Sequence, residues 1–182
     1  AMAHATGIAA QEGAGTLVLS GTNSHQGGTF IKGGTVQITA DANLGDAAGK
    51  VTFDSGTLYQ QGAASIVTSR EATLQAGGGT FQVDSTVQWE GAIDGAGALT
   101  KSGAGALILG ADNSYAGGTT IDSGILMLGT GGTTGSIQGD VVDNGTLSFN
   151  RSNLYTFNGS ISGSGGVTQD GTGNTVLTAD NT

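Results

Sequence analysis

The chain contains neither cysteine nor proline. Without cysteine there is no disulfide scaffold, thiolate metal site or thiol nucleophile, and without proline there is no collagen or proline-rich linker. Charge is also scarce: 14 acidic and 5 basic side chains in 182 residues give a net charge of −9, spread thinly and not in blocks. Nucleic acid is therefore not an expected partner. No apolar run approaches the roughly 20 residues of a membrane helix. No glycine set meets Gly-x-Gly-x-x-Gly, no Gly-Lys-Ser/Thr is present, and calcium-binding nonapeptides do not recur. No cofactor or metal is expected.

Glycine is abundant, at 36 of 182 residues, against a usual share of roughly 7%. Such a chain cannot be a long-helix protein. Its Val, Ile, Leu and Phe recur regularly, so it need not be disordered either. Ala1-Met2-Ala3-His4 reads as a cloning scar, not a signal peptide. Residues 1–6 are expected to be that scar or an N-terminal tail, and 7–182 one fragment cut from something longer.

Gly13-Ala14-Gly15-Thr16-Leu17-Val18-Leu19 returns 90 residues later as Gly103-Ala104-Gly105-Ala106-Leu107-Ile108-Leu109. Asn23-Ser24-His25 returns as Asn113-Ser114-Tyr115, and a second offset, of 68, links Gly91–Gly97 to Gly159–Gly165. A shorter phrase, glycine followed by alternating apolar residues, begins at Gly15, Gly34, Gly56, Gly79, Gly105, Gly124, Gly145 and Gly173. Its seven spacings cover 158 residues, or about 22.6 each, a period typical of solenoids. Thr35-Val36-Gln37-Ile38 and Thr80-Phe81-Gln82-Val83 alternate with period two, and the segments between phrases are rich in turn residues. The expected fold is all-β, a right-handed parallel β-helix of about eight coils. Leu17/Leu19, Val36/Ile38, Phe81/Val83, Leu107/Leu109, Leu126/Leu128 and Leu147/Phe149 should point inward. The absence of proline fits, because each inner coil donates its amides to a neighbour.

From Gly95 to Gly124 the chain reads Gly-x-Gly-x-Leu-x-Lys-x-Gly-x-Gly-x-Leu-x-Leu, then Asn-x-Tyr-x-Gly-Gly-Thr-x-Ile-x-x-Gly. This resembles the autotransporter-associated β-strand repeat of bacterial passenger domains. Val142–Ser152 and Ala42–Phe53 resemble phrases that accompany that repeat. The resemblance implies a surface-exposed or secreted passenger of a Gram-negative bacterium, carried by a C-terminal outer-membrane β-barrel outside this chain. It implies an adhesive rod whose partner is a host-cell or extracellular-matrix component, or another copy of itself. Two alternatives stay open: a module that assists passenger folding and secretion, and a carbohydrate-active β-helix enzyme.

An enzyme of that kind needs convergent carboxylates. Asp54, Asp122 and Asp143 each stand two residues before a phrase glycine, so Asp122 and Asp143 are expected in one slot on adjacent coils. Asp-Ser-Gly and Asp-Asn-Gly are turn sequences, so these aspartates read as turn residues and no catalytic residue is expected. His25 shares the slot of Tyr115 and reads as a packing position. Three Asn-x-Ser/Thr triplets, at Asn144, Asn150 and Asn158, read as turns. The two longest units, of 26 residues from Gly79 and 28 from Gly145, are expected to bulge outward as loops. They hold Trp89, Arg151, Tyr155 and Phe157, residue types enriched at interface hot spots, which form the candidate binding surface, although Trp89 and Phe157 match at offset 68 and read first as packing of one repeated bulge.

Overall fold

Every strand pairing is parallel, and each strand's neighbours come from the preceding and following turns of the chain. The computed structural model describes residues 7–182, so the expected scar or tail at 1–6 lies outside the described residues. The chain winds as a β-solenoid of about eight coils with three faces. The first face stacks Ala9–Gln11, Thr29–Ile31, Val51–Phe53, Ala72–Leu74 and Ile93–Gly95. The second runs the length of the rod in eight strands, from Thr16–Val18 to Ile161–Ser162. The third stacks six, from Ile66–Thr68 to Gly166–Gln169. A separate pair, Tyr155–Phe157 with Thr175–Leu177, closes the last coils. The one helical turn among the described residues is a 3-10 turn at Asp41–Leu44.

Period-two alternation fixes which side chains enter the coil. On the second face the inward ladder runs Leu17, Val36, Leu58, Phe81, Lys101, Ile121, Asp143. On the third, Ile66, Val87, Leu107, Leu126, Leu147 and Val167 stack in register, beside Thr68, Trp89, Leu109, Leu128, Phe149 and Gln169. The expected inward residues are buried except Leu17, which is half-buried. Phe53, Phe81 and Trp89 stack across the interior, with ring centroids 5.0 and 5.3 Å apart.

Corners are stitched by side-chain amides. Gln11, Gln60 and Gln169 each donate from Nε2 to the carbonyls two and four residues ahead, at 2.7–3.1 Å. Lys101 occupies the repeat slot of Gln11 and Gln169 and does similar work with Nζ, which donates to Ser102 O, Gly103 O and Ser123 O.

The coil is shorter than the sequence period. Along the second face, Thr16 to Ser162 is 146 residues in seven steps, about 21 per coil. Gly15, Gly34, Gly56 and Gly79 lead into second-face strands, whereas Gly105, Gly124 and Gly145 lead into third-face strands. The phrase therefore changes face between Gly79 and Gly105. One coil carries Gly79 to Leu99, its register partner, and six further residues reach the next corner. The same holds after Gly145: Thr146 pairs with Gly166 one coil later, and Gly173 leads into Thr175–Leu177 beyond it. The expected outward bulges are absent from these two units because their extra residues lie along a face.

Candidate functional site

The three aspartates expected in one slot are separated. Asp54 and Asp122 are exposed at different corners, and Asp143 is buried. Asp143 pairs with Ile121, not Asp122. The cause is a one-residue difference in turn length: the chain takes five residues from Ile121 to Leu126 but four from Asp143 to Leu147. Drawing Asp143 one place back into the strand flips it from the outer to the inner side. No pair of carboxylates there converges for acid–base chemistry, and among the described residues no three of His, Asp and Glu gather as metal ligands.

Asp143 Oδ1 accepts the Gly145 N–H at 3.0 Å, while Oδ2 is buried without a hydrogen bond. Burial raises its pKa above the ordinary carboxylate value, against the lowering effect of the Gly145 and Leu147 amides. The folded chain then binds more protons than the unfolded one between the two values, so this group's contribution to stability falls as pH rises through that window. Asp143→Asn is expected to stabilise the chain at pH 7 by roughly 1–2 kcal/mol, since it removes a buried charge with an unpaired oxygen. The advantage should shrink as pH approaches 4. Urea titrations at pH 7 and pH 4 check this, and an equal difference at both pH values contradicts it.

Three of the five basic side chains, Arg70, Lys101 and Arg151, are buried. Burial pulls the Lys101 ammonium down to about 8. The two arginines stand two residues past third-face strands in a common register, at one corner of the rod. Each reaches back to the preceding outer segment. Arg70 donates to Gly45 O at 2.7 Å, Gly49 O at 3.1 Å, Asp46 O and the Asp41 carboxylate, with Nε to Oδ1 at 2.8 Å. Arg151 donates to Gly135 O at 2.9 Å, Thr133 O, Asn153 Oδ1 and Asp112 Oδ1. Gly45 and Gly135 have φ of 89° and 96°, a left-handed turn that aims each carbonyl at its guanidinium.

Arg70 went unsignalled in the sequence because its equivalence to Arg151 spans four coils, whereas the repeat offsets follow the face-changing phrase. His25 and Tyr115 do occupy equivalent slots. Both are fully buried, and each bonds a threonine four residues on: His25 Nε2 with Thr29 Oγ1 at 3.1 Å, Tyr115 OH with Thr119 Oγ1 at 2.8 Å.

Of the expected binding surface, Trp89 and Phe157 lie inside the coil, 1% and 2% exposed, because inward ladder positions hold them. Arg151 and Tyr155 meet: the guanidinium carbon stands 4.6 Å from the ring centre of the half-buried Tyr155. Tyr155 also packs on Phe149 and lines a shallow groove with Gln138 and Asn158.

The outside is therefore acidic and poor in cations. Thirteen of the 14 carboxylates, all but Asp143, are at least partly exposed, against two exposed lysines. Lys32 bonds Glu12 at 2.8 Å and Lys50 bonds Glu71. On the second face, Thr16, Thr35, Thr57, Thr80, Thr100 and Thr120 stack outward in register beside Gln37, Tyr59 and Gln82.

Comparison with known proteins finds the passenger-associated-transport-repeat at residues 11–38 and 99–128. The chain is similar to the adhesin BmaC autotransporter of Brucella suis biovar 1 (strain 1330), with 47% identity over 159 residues, 86% of this chain and 5% of that protein. The chain thus spans about one twentieth of the length of that curated relative. No solved structure matches it.

Proposed function

This chain is a stretch of autotransporter passenger, and from that premise we propose that it is a non-catalytic rod that adheres to host or neighbouring-cell surfaces. The observation that carries the reading is the outer surface. The second face offers a ladder of six threonine hydroxyls with flanking amides and one tyrosine. Thirteen outer carboxylates with two paired lysines repel polyanions, so the partner is a neutral or basic surface component. The rim of Tyr155 is a second contact region on the same rod.

Beads coated with the folded chain test adhesion separately from secretion. They are expected to bind host cells or matrix severalfold better than albumin-coated beads and to ignore heparin. Replacing Thr57 and Thr100 by Lys should cut binding severalfold with the melting temperature kept, and Tyr155→Ala tests the second region. Beads that bind no better than albumin remove adhesion from this segment. Loss of secretion on deleting it from the full passenger would then favour the folding module.

A further inference from the structure

The outer segment 39–49 covers a buried histidine that belongs to the coil beneath it. Asp46 N–H donates to His25 O at 3.0 Å, and the Gly45 backbone lies directly on the imidazole, leaving no space for a side chain. The segment is also held by Arg70, by Asn23, whose N–H and Nδ2 donate to Ala42 O and Asn43 O, and by Asn43, whose Oδ1 accepts from the amides of Thr39 and Ala40 and whose Nδ2 donates to Gly21 O.

The tautomer of His25 follows from its neighbour. Thr29 Oγ1 donates to Leu44 O at 3.3 Å, so its lone pair accepts from His25 Nε2–H at 3.1 Å. Nδ1 is then the bare nitrogen, and it is buried without a partner. A proton arriving there would become a buried N–H with no acceptor. The charged groups on the elements packed around it offer no relief. Arg70 is a second cation, the Asp41 carboxylate is committed to Arg70, and Asp46 Oδ1 accepts the Ala48 N–H.

We infer that His25 is an acid-sensitive switch: its protonation in mildly acidic surroundings releases the 39–49 segment from the coil beneath. Burial, with a smaller contribution from Arg70, holds the imidazole pKa below its ordinary value of 6.5. The unfolded or opened segment therefore binds more protons than the closed one below pH 6.5, and closure weakens as pH falls. The second repeat supplies an internal control, since Tyr115 fills the equivalent slot with a group that stays neutral there.

The test is amide hydrogen exchange from pH 7 to 4.5, corrected for intrinsic exchange. Protection at Asn23 and Asp46, whose amides bond across the seam to Ala42 O and His25 O, should fall about tenfold per pH unit between 6.5 and the His25 midpoint, then level off. Protection at Asn113 and Gly129, in the Tyr115 region, should stay flat. His25→Tyr, or His25→Gln if the larger ring disrupts the coil, should abolish the acid response. In the unmodified chain, the pH at which protection levels off should coincide with the midpoint of the His25 titration seen by NMR. Protection that persists through that titration, or an equal acid response in either variant, overturns the inference.

Discussion

Leu107→Asp is expected to abolish cooperative folding of the middle coils, with the main thermal transition lost or lowered by more than about 20 °C. Leu107 is fully buried between Val87 and Leu126 on the third face. Replacing it removes an apolar side chain worth about 2–5 kcal/mol in a core. It also puts a carboxylate among apolar neighbours without a partner, which costs several kcal/mol more. The sum is comparable to the whole stability of a typical domain, about 5–15 kcal/mol. Position aggravates the loss, because in a solenoid each coil is stabilised by its neighbours and a damaged central coil uncouples those on either side. Melting followed by circular dichroism measures it. A transition within a few degrees of the unmodified chain would mean that Leu107 faces water and that the third face is slipped by one residue.

Arg70→Met is expected to cost about 3–4 kcal/mol, typical of breaking a buried charged network from one side. The methionine keeps most of the packing volume. Lost are the donors to Gly45 O, Asp46 O and Gly49 O and the fork on the Asp41 carboxylate. Asp41 is 30% exposed and rehydrates in part, which keeps the cost below that of a fully buried pair. Arg70→Lys should recover little, since a single ammonium cannot span acceptors that a planar fork reaches together. Urea denaturation gives the cost, and protease nicking within 39–49 should rise before global unfolding. A loss under about 0.5 kcal/mol would show that the bonds of Asn23, Thr29, Asn43 and the backbone hold the segment without Arg70.

Much of this architecture was legible because burial and period two speak directly in residues such as Leu107, Leu109, Leu126 and Leu128. The His25 and Tyr115 slot was legible for a related reason: an aligned position that accepts either ring is set by packing volume and one hydrogen bond. What residue spacing conceals is azimuth. Counting from Gly79 to Gly105 gives 26 whether the extra residues leave the rod or advance along it, and only strand pairing distinguishes the two. Asp143 was misplaced by the same blindness at smaller scale, one turn residue fewer sending a corner aspartate indoors. Lys101 and Arg70 look like solvent-facing charges in the sequence. Carbonyl groups at the corners, invisible as letters, draw them inward.

The change of face bears on how such rods diversify. The strands Thr16–Val18 and Ala106–Leu109 are equivalent in the repeat but lie on the second and third faces, and Thr29–Ile31 and Thr119–Ile121 lie on the first and second. The 90-residue offset is thus four coils plus one face. A recombination event that duplicates or deletes one such segment changes the length of the rod by about 21 Å, at about 4.8 Å per coil. It also rotates everything downstream by one face. Copy number alone then resets both the reach of a distal surface and the compass direction in which it points, without altering a single residue of that surface.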